Sequence, residues 1–367
     1  MKVLFVYKYL TMGGVEAVLR ARLDGMPALG FETKVWFLAD GEGRELFRGL
    51  QPAVQVGGVA DLRRFIGSWM PSIVSTIDTE EAFPALQHAG WAGKVILECH
   101  TPYAENRAYL RLDAVRRAAA VLVPSHHQRQ AIESSLPRHM AVHVVPNPIR
   151  EVFLRPIAAF EAAPANPIVA WVGRLDRLKN WNAFLEIARL VHRRLAEPEF
   201  WILGDGDPDV ASALRREATA KGIIQRLRWF QGPSQDYLPS FFDEVRASGG
   251  VVVSTSRGES FGMAVAEAMA RCCAVVVPRR GPFSEFVDEG VSGLMYEPGI
   301  GKRAADQIVR LVTSRDLRDS LGAAAREAIL AGHSPGLALR ALADALRHVV
   351  HTARNGRTML GVRPAGG

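Results

Sequence analysis

The sequence has few cysteines and no long apolar run. Its 367 residues include three cysteines, and Cys272 and Cys273 are neighbours, so a framework of disulfide bonds is excluded. No stretch approaches the roughly 20 consecutive apolar residues that a membrane-spanning helix needs. These features predict a protein of the reducing cytoplasm and leave open a peripheral contact at the inner membrane surface.

Signatures of several common chemistries are also missing. No Gly-x-Gly-x-x-Gly follows the apolar strand at 3–7 or the one ending at Val172, which argues against a nicotinamide-dependent oxidoreductase. The net charge of +7 is not gathered in one arm, so nucleic acid is not an expected partner. The basic, glycine-rich segment 353–367 is predicted to be a flexible tail, in preference to a weak membrane-surface contact.

The chain predicts two similar α/β halves. Short apolar runs alternate with amphipathic stretches, which is typical of parallel sheets covered by helices on both faces. Four prolines within 147–167 mark a boundary. We therefore expect doubly wound, Rossmann-like domains at 1–150 and 151–336, with a cleft between the carboxyl ends of their sheets, where ligands of such folds bind.

The strongest motif is ESFGMAVAEAMA at 259–270, after an apolar strand. The pattern predicts a loop holding Glu259 and a helix that begins near Gly262 and holds Glu267. The free amide groups around Phe261, Gly262 and Met263 would form an anion site at the start of this helix. Two carboxylates bordering an anion site suit the hydroxyls and phosphates of a sugar nucleotide. A helix-capping acid and a surface acid are the alternative reading.

A basic loop follows the first strand of the second half, in WVGRLDRLKNW at 171–181. Arg174 and Lys179 precede a helix expected to begin near Asn180. Arginine binds phosphate through two parallel N–H groups and lysine supplies a point charge, so the pair suits a diphosphate. A solvated basic loop is an equally good interpretation from this segment alone.

Three residues of the first half are also candidates. Gly13 and Gly14 lie between the first strand and the first helix, where backbone must approach a ligand closely. His100 directly follows the strand KVILEC, and from there an imidazole reaches a sugar hydroxyl or shuttles a proton. A tight turn and a structural histidine are the respective alternatives.

The acidic run ILGDGDPDV at 202–210 invites a metal interpretation. A calcium loop requires glycine at its sixth position and glutamate at its twelfth, where this chain has Val210 and Arg216. Asp205 and Asp207 are therefore predicted to shape a turn, and no metal site or cofactor is expected.

Taken together, these motifs resemble those of the retaining GT-B glycosyltransferases of family four, also called glycosyl transferases group 1, which share an E-x7-E motif. The resemblance covers nearly the whole chain in order and spacing, through GGVE at 13–16, His100, PNPI at 146–149, VGRLDRLKN at 172–180, ILGDGDP at 202–208, ESFGMAVAEAMA at 259–270 and VDEGVSGLMYEPG at 287–299.

The resemblance implies a role for each candidate. Domain 1–150 would bind the acceptor and domain 151–336 the donor, while a helix at 337–352 would cross back to the first domain. The donor diphosphate would meet Arg174, Lys179, Gly14, Gly262 and Met263. His100 and Glu259 would contact the transferred sugar and be catalytic residues, with Phe261 and Gly262 beside the sugar. Glu267 would hold the ribose. Gly13 and Gly14 would form an acceptor-side loop.

The chain departs from the family pattern at three places. The family often has glycine where Asn180 stands, and Gly-Cys-Pro where this chain has Cys272, Cys273 and Ala274. Its paired glycines near 281 are Gly281 and Pro282 here.

The predicted function is metal-independent transfer of a hexose, with retention, from a nucleotide-diphosphate sugar to a hydroxyl of a glycan, lipid-linked or small-molecule acceptor. A non-hydrolysing sugar-nucleotide epimerase and a catalytically silent nucleotide-sugar-binding subunit are the alternatives. The nucleobase, the sugar and the acceptor are not specified by these motifs.

Overall fold

The computed structural model describes residues 1–88, 91–111, 115–157, 163–232 and 237–358, and the chain divides into two compact units. The first unit joins Met1–Pro148 to the segment that begins at Pro335, and the second is Ile149–Ser334. Among the described residues, no helix is both long and apolar enough to span a bilayer.

The first unit is built on a parallel sheet. Within the described residues it has seven strands in the order β3-β2-β1-β4-β5-β6-β7. Short β3 is not expected from the sequence, because glutamine interrupts its three residues, VQV, and leaves no apolar run. The strands are β1 Lys2–Tyr9, β2 Glu32–Ala39, β3 Val54–Val56, β4 Ile73–Ile77, β5 Lys94–Glu98, β6 Ala120–Val123 and β7 Val142–Val144.

Both faces of this sheet are covered, because successive side chains of a strand point to opposite faces. Val3 and Phe5 of β1 join one apolar core, and Leu4 and Val6 join another. The helices of this part of the chain are α1 Gly14–Gly25, α2 Val59–Trp69, α3 Phe83–His88 and α4 His126–Glu133, with 3-10 turns at Met26–Leu29, Glu42–Phe47, Gln51–Ala53, Glu80–Ala82, Glu105–Arg111 and Val115–Arg117.

The second unit repeats the plan with six parallel strands among its described residues, in the order β10-β9-β8-β11-β12-β13. Ile168 and Ala170 of β8 enter one core, and Val169 and Trp171 enter the other. The strands are β8 Ile168–Val172, β9 Glu199–Leu203, β10 Leu227–Phe230, β11 Val251–Val253, β12 Val275–Pro278 and β13 Leu294–Tyr296.

Helices separate the strands of the second unit, as the amphipathic stretches predict. They are α5 Glu151–Leu154, α6 Trp181–His192, α7 Pro208–Ala220, α8 Leu238–Ala247, α9 Met263–Ala270, α10 Gly301–Thr313 and α11 Arg315–His333, with 3-10 turns at Ile224–Arg226 and Gly281–Glu285. After α9, Cys272 adopts φ 58°, so the position keeps the left-handed backbone that glycine favours although the side chain is not glycine.

The last helix, α12, spans Pro335–Thr358 and belongs to the first unit. Leu339, Leu342 and Leu346 are buried in the same core as Val3 and Phe5 of β1. The helix therefore begins just before the expected segment 337–352 and continues past it. It also covers the start of the predicted tail 353–367, whose remaining residues, 359–367, lie outside the described residues.

Candidate active site

A small pocket lies at the carboxyl ends of β8 and β11 in the second unit. Lys179, Glu259 and Gly262 line it, and Val172 and Ser254 form part of its wall. Strand ends and the N-terminus of α9 meet here, as expected for a ligand site in a parallel α/β sheet. The structure thus brings together residues from both of the strongest predicted motifs.

Lys179 and Glu259 form an ion pair in this pocket. Lys179 Nζ donates to Glu259 Oε1 at 2.7 Å, and Ser256 Oγ donates to the same oxygen at 2.6 Å. The side chains are 22 % and 11 % exposed, so each charge is held in place at the edge of solvent. A ligand phosphate must share the lysine with this carboxylate.

The turn before α6 fixes the position of Lys179. Its backbone N–H donates to Asp176 Oδ1 at 2.8 Å. The next residue, Asn180, has φ 59° and forms the N-cap of α6, and asparagine tolerates this left-handed conformation better than most residues. Its side-chain amide donates to Thr255 O at 3.2 Å. Asn180 therefore adopts the left-handed backbone conformation at a position where the family often has glycine.

Arg174 differs from Lys179. Its side chain is 69 % exposed and pairs with Asp176 at 3.3 Å. It does not line the small pocket. An exposed pair of this kind is weak, so the guanidinium is free to reorient toward an anion.

Helix α9 begins at Met263, with Gly262 as its N-cap. Gly262 has φ 99°, and a Cβ there would lie 2.7 Å from the Phe283 ring, so glycine is required twice over. The first amide groups of α9 have no acceptor within the helix. Phe261 places its ring in the core, 5.3 Å from Phe286 and 4.9 Å from His333 between ring centroids, and so leaves only its backbone for a ligand.

Glu267 lies further along α9 and is only 4 % exposed. Within the described part of the chain its carboxylate has no hydrogen-bond partner. Burial raises the pKa of Glu267 to about 7, although the charges of Arg150 and Lys179 oppose the rise. A buried carboxylate without donors is costly to ionise, and the hydroxyls of a ligand would relieve that cost.

In the first unit, Gly13 is the N-cap of α1 and Gly14 its first residue. The buried carboxylate of Glu16 accepts a hydrogen bond from the Thr11 N–H at 3.0 Å and another from its hydroxyl. A Cβ on Gly13 would lie 2.8 Å from Glu16 Oε2. The acid thus closes the turn, and glycine leaves room for it.

His100 is buried at the end of β5, with 7 % of its surface exposed. Its Nε2 lies 3.0 Å from Glu98 Oε2, and its backbone N–H donates to Asp78 Oδ1 at 3.1 Å. Glu98 in turn accepts hydrogen bonds from both terminal nitrogens of Arg22, each at 2.8 Å. The histidine is therefore the outer member of a buried charged network.

The acidic run at 202–210 forms a turn. Asp207 caps α7 by accepting from the Val210 N–H at 2.8 Å, and Asp205 accepts from the Gly232 N–H at 2.7 Å. Both carboxylates have backbone partners. Over the described ranges, no group of three or more histidine, cysteine, aspartate or glutamate side chains is placed to hold a metal ion.

Four polar residues of these networks are missing from the predicted site residues: the buried Glu16, Arg22 and Glu98 and the partly buried Asp78. A charged residue inside an apolar run was the available signal for Glu98, which ends the strand KVILE. Its partner Arg22 is 76 residues away in sequence, so the pairing itself is invisible without the fold.

Residues 157–328 match the family model described as glycosyl transferases group 1. This part of the chain belongs to that family. The match includes Arg174, Lys179, Glu259 and Glu267, which confirms the resemblance for the region that holds the pocket.

Curated proteins of other organisms resemble parts of the chain. The alpha-D-kanosaminyltransferase of Streptomyces kanamyceticus is 27 % identical over 225 residues, 57 % of this chain and 55 % of the relative. The sulfoquinovosyl transferase SQD2 of Arabidopsis thaliana is 30 % identical over 168 residues, 45 % of this chain and 30 % of the relative. The chain thus spans about half or less of the length of these relatives.

Solved structures match nearly the whole chain. Anabaena HepE in complex with UDP and glucose aligns with a TM-score of 0.81 and 19 % identity, covering 95 % of this chain and all of that one. Sucrose-phosphate synthase from Thermosynechococcus elongatus aligns with a TM-score of 0.78 and 17 % identity, covering 96 % of this chain and all of that one. At these identities the likeness shows the fold, and the predicted GT-B class with two Rossmann-like sheets is confirmed.

Proposed function

We propose that this chain is a cytoplasmic glycosyltransferase that moves a hexose from a nucleotide-diphosphate sugar to an acceptor hydroxyl, with retention and without a metal ion. The main support is the pocket where Lys179, Glu259 and the start of α9 meet at the carboxyl edge of the second sheet. The group 1 match over 157–328 and the GT-B fold support a transferase. HepE was solved with UDP and with UDP-glucose, which supports a nucleotide-sugar donor.

The diphosphate would bind where positive charge is available. Lys179 has two ammonium hydrogens left after its bond to Glu259, so one can reach a phosphate oxygen without breaking the ion pair. Arg174 turns from its exposed contact with Asp176 to supply a second cation. The amides of Gly262 and Met263 add the partial positive charge of a helix N-terminus, and Gly14 allows close backbone approach.

The sugar and ribose would use the remaining candidates. Glu259, held by Lys179 and Ser256, accepts hydrogen bonds from hydroxyls of the transferred sugar, with the backbone of Phe261 and Gly262 beside it. Glu267 accepts bonds from the ribose hydroxyls, which suits a buried carboxylate that has no donor among the described residues. His100 is the remaining candidate for a contact with the transferred sugar.

In the reaction, the bond between the anomeric carbon and the diphosphate oxygen breaks, and its electron pair stays on the diphosphate. Lys179, Arg174 and the α9 amides stabilise that growing negative charge. The acceptor oxygen forms its bond to the anomeric carbon on the same face. Its proton passes to the departing phosphate oxygen, which balances the charge.

A ligand panel followed by turnover tests the proposal. UDP-, GDP-, ADP- and dTDP-sugars are compared by thermal shift, since a ligand at 100 times its Kd adds about 2.7 kcal/mol of stability. Cleavage of the best donor is then measured for the wild type, Lys179→Ala and Lys221→Ala. Lys221 is a matched control because its side chain is also 22 % exposed and pairs with a glutamate, Glu217, at 3.1 Å.

We expect Lys179→Ala to lower kcat/KM at least about tenfold, the scale of one lost charged contact, and Lys221→Ala to leave it within about twofold. Equal values for the two variants would disprove the phosphate role of Lys179. Nucleotide-sugar binding without cleavage, across glycan, lipid-linked and small-molecule acceptors, would instead indicate the silent binding subunit.

A further inference from the structure

The first unit contains a buried carboxylate whose oxygens are both fully engaged. Glu98 Oε1 accepts from Arg22 Nη1 at 2.8 Å and from Ser75 Oγ at 2.7 Å. Its Oε2 accepts from Arg22 Nη2 at 2.8 Å and lies 3.0 Å from His100 Nε2. Glu98 is completely buried and Arg22 is 2 % exposed, so this network is shielded from water.

The network keeps Glu98 ionised. Burial by itself would raise the pKa of Glu98, but the charge of Arg22 and the hydrogen bonds from His100 and Arg22 outweigh burial and hold that pKa below its ordinary range. Bidentate pairs of arginine with carboxylate are among the strong hydrogen-bonded contacts in proteins. Glu98 therefore offers His100 lone pairs and no hydrogen.

This determines which ring nitrogen of His100 holds the hydrogen. Because an ionised carboxylate only accepts, the contact at Nε2 requires an N–H group there. The backbone N–H of His100 is held as well, by Asp78 Oδ1 at 3.1 Å, and Tyr109 Oη donates to the same oxygen at 3.0 Å. Both the position of the residue and the direction of its ring are set from inside the unit.

We propose that Glu98, with Arg22 as its counter-ion, is a positioning residue that holds His100 in the Nε2–H tautomer, so that Nδ1 meets the substrate as a hydrogen-bond acceptor. Across the described ranges, the ring has no hydrogen-bond partner other than Glu98. A hydroxyl of the transferred sugar is the donor that this lone pair suits. That last step rests on the proposed function, whereas the tautomer does not.

Glu98→Gln has a defined expected effect. The amide oxygen takes the Oε1 position, because the Ser75 hydroxyl has no other acceptor among the described residues. The amide NH2 group then replaces Oε2, where it displaces Arg22 Nη2 and points at His100 Nε2, which must accept and loses its hydrogen to Nδ1. A neutral amide behind a histidine is known to impose the wrong tautomer on a catalytic ring in this way.

The experiment is ¹⁵N NMR of the histidine-labelled full chain at pH 8, with His100→Gln used to assign the His100 signal. The wild type should show the hydrogen on Nε2 and a bare Nδ1, and Glu98→Gln should show the reverse. Cleavage of the nucleotide sugar should fall at least about tenfold in kcat/KM for Glu98→Gln. Ser125→Ala, which removes the N-cap of α4 without touching Glu98 or His100, should stay within about threefold.

A hydrogen on Nδ1 in the wild type, alone or together with one on Nε2, would overturn the proposal, and this measurement stands even if Glu98→Gln does not fold. An unchanged tautomer or unchanged turnover in a folded Glu98→Gln would overturn it equally. If the wild type cleaves no nucleotide sugar, the proposed function is wrong, while the NMR result still decides the role of Glu98.

Discussion

Each unit buries a glutamate, and the pKa values of the two carboxylates are shifted in opposite directions. Glu98 in the first unit receives donors from Arg22, Ser75 and His100, and its pKa lies below the ordinary range. Glu267 in the second has no hydrogen-bonded partner among the described residues, and burial raises its pKa to about 7. The difference shows that the donors around a carboxylate, more than its burial, decide its charge. Glu98 is satisfied by hydrogen bonds from the protein, whereas the described residues leave the Glu267 carboxylate without a donor.

The largest expected effect is the loss of stability when Glu98, the fully hydrogen-bonded carboxylate, is removed. Glu98→Ala leaves Arg22 buried without its counter-ion, so we expect a loss of about 3–5 kcal/mol in the free energy of unfolding. Urea denaturation measures it. The control is Glu133→Ala, whose exposed pair with Arg129 should be worth less than about 1 kcal/mol. A loss for Glu98→Ala no larger than that of the control would contradict the comparison.

The second expected effect is a gain in stability when the Glu267 carboxylate is replaced. Glu267 has a pKa of about 7 in the folded protein against an ordinary value of 4.5. Between these values the folded state keeps a proton that the unfolded chain has released, so the free energy of unfolding falls as pH rises from 4.5 to about 7. Glu267→Gln removes this loss and should stabilise the protein at pH 8 by on the order of 1–3 kcal/mol.

The gain for Glu267→Gln should fade as pH approaches 4.5, where the folded wild type holds the proton and about half of the unfolded chains hold it as well. Urea denaturation of the two proteins at pH 8, 6 and 4.5 measures this. A variant that is no more stable than the wild type at pH 8 would show that Glu267 is satisfied after all.

The smallest effect is on ligand affinity. If ribose hydroxyls donate to Glu267, binding lowers its pKa, and the affinity for a nucleotide sugar should rise between pH 5 and 7 by less than about tenfold per pH unit. Calorimetry at pH 6 in two buffers of different ionisation enthalpy should also detect proton release. Glu267→Gln should abolish both effects, and their persistence in the variant would assign the proton to another group.

Much of the fold is readable from apolar patterning, because strands such as KVILE at 94–98 are buried on both faces and stand out as runs. Strands β3 and β13 do not stand out in this way. Glutamine interrupts β3, and β13 is a run of only three apolar residues between Gly293 and Glu297. Their pairing partners β2 and β12 define them, and pairing is a property of the folded sheet.

Residues of the candidate site could be predicted from the sequence where a single segment contains both a charged residue and the turn that positions it. Lys179 and Glu259 could be named because glycines, a strand and a helix start surround each of them. Their ion pair joins residues 80 apart, and the contact of Arg22 with Glu98 joins residues 76 apart. Such partners are selected by tertiary packing, which leaves no local pattern in either segment.

Helix α12 has a consequence for how the protein is made. Its buried leucines complete the core around β1, yet they are separated from β1 by the whole of the second unit. On the ribosome, residues 149–334 emerge and can fold while the first unit still exposes the apolar surface that Leu339, Leu342 and Leu346 will cover. The core of the first unit is therefore begun first and completed last. A chain stopped before residue 335 should engage chaperones or aggregate, even though every strand of the first sheet has been synthesised.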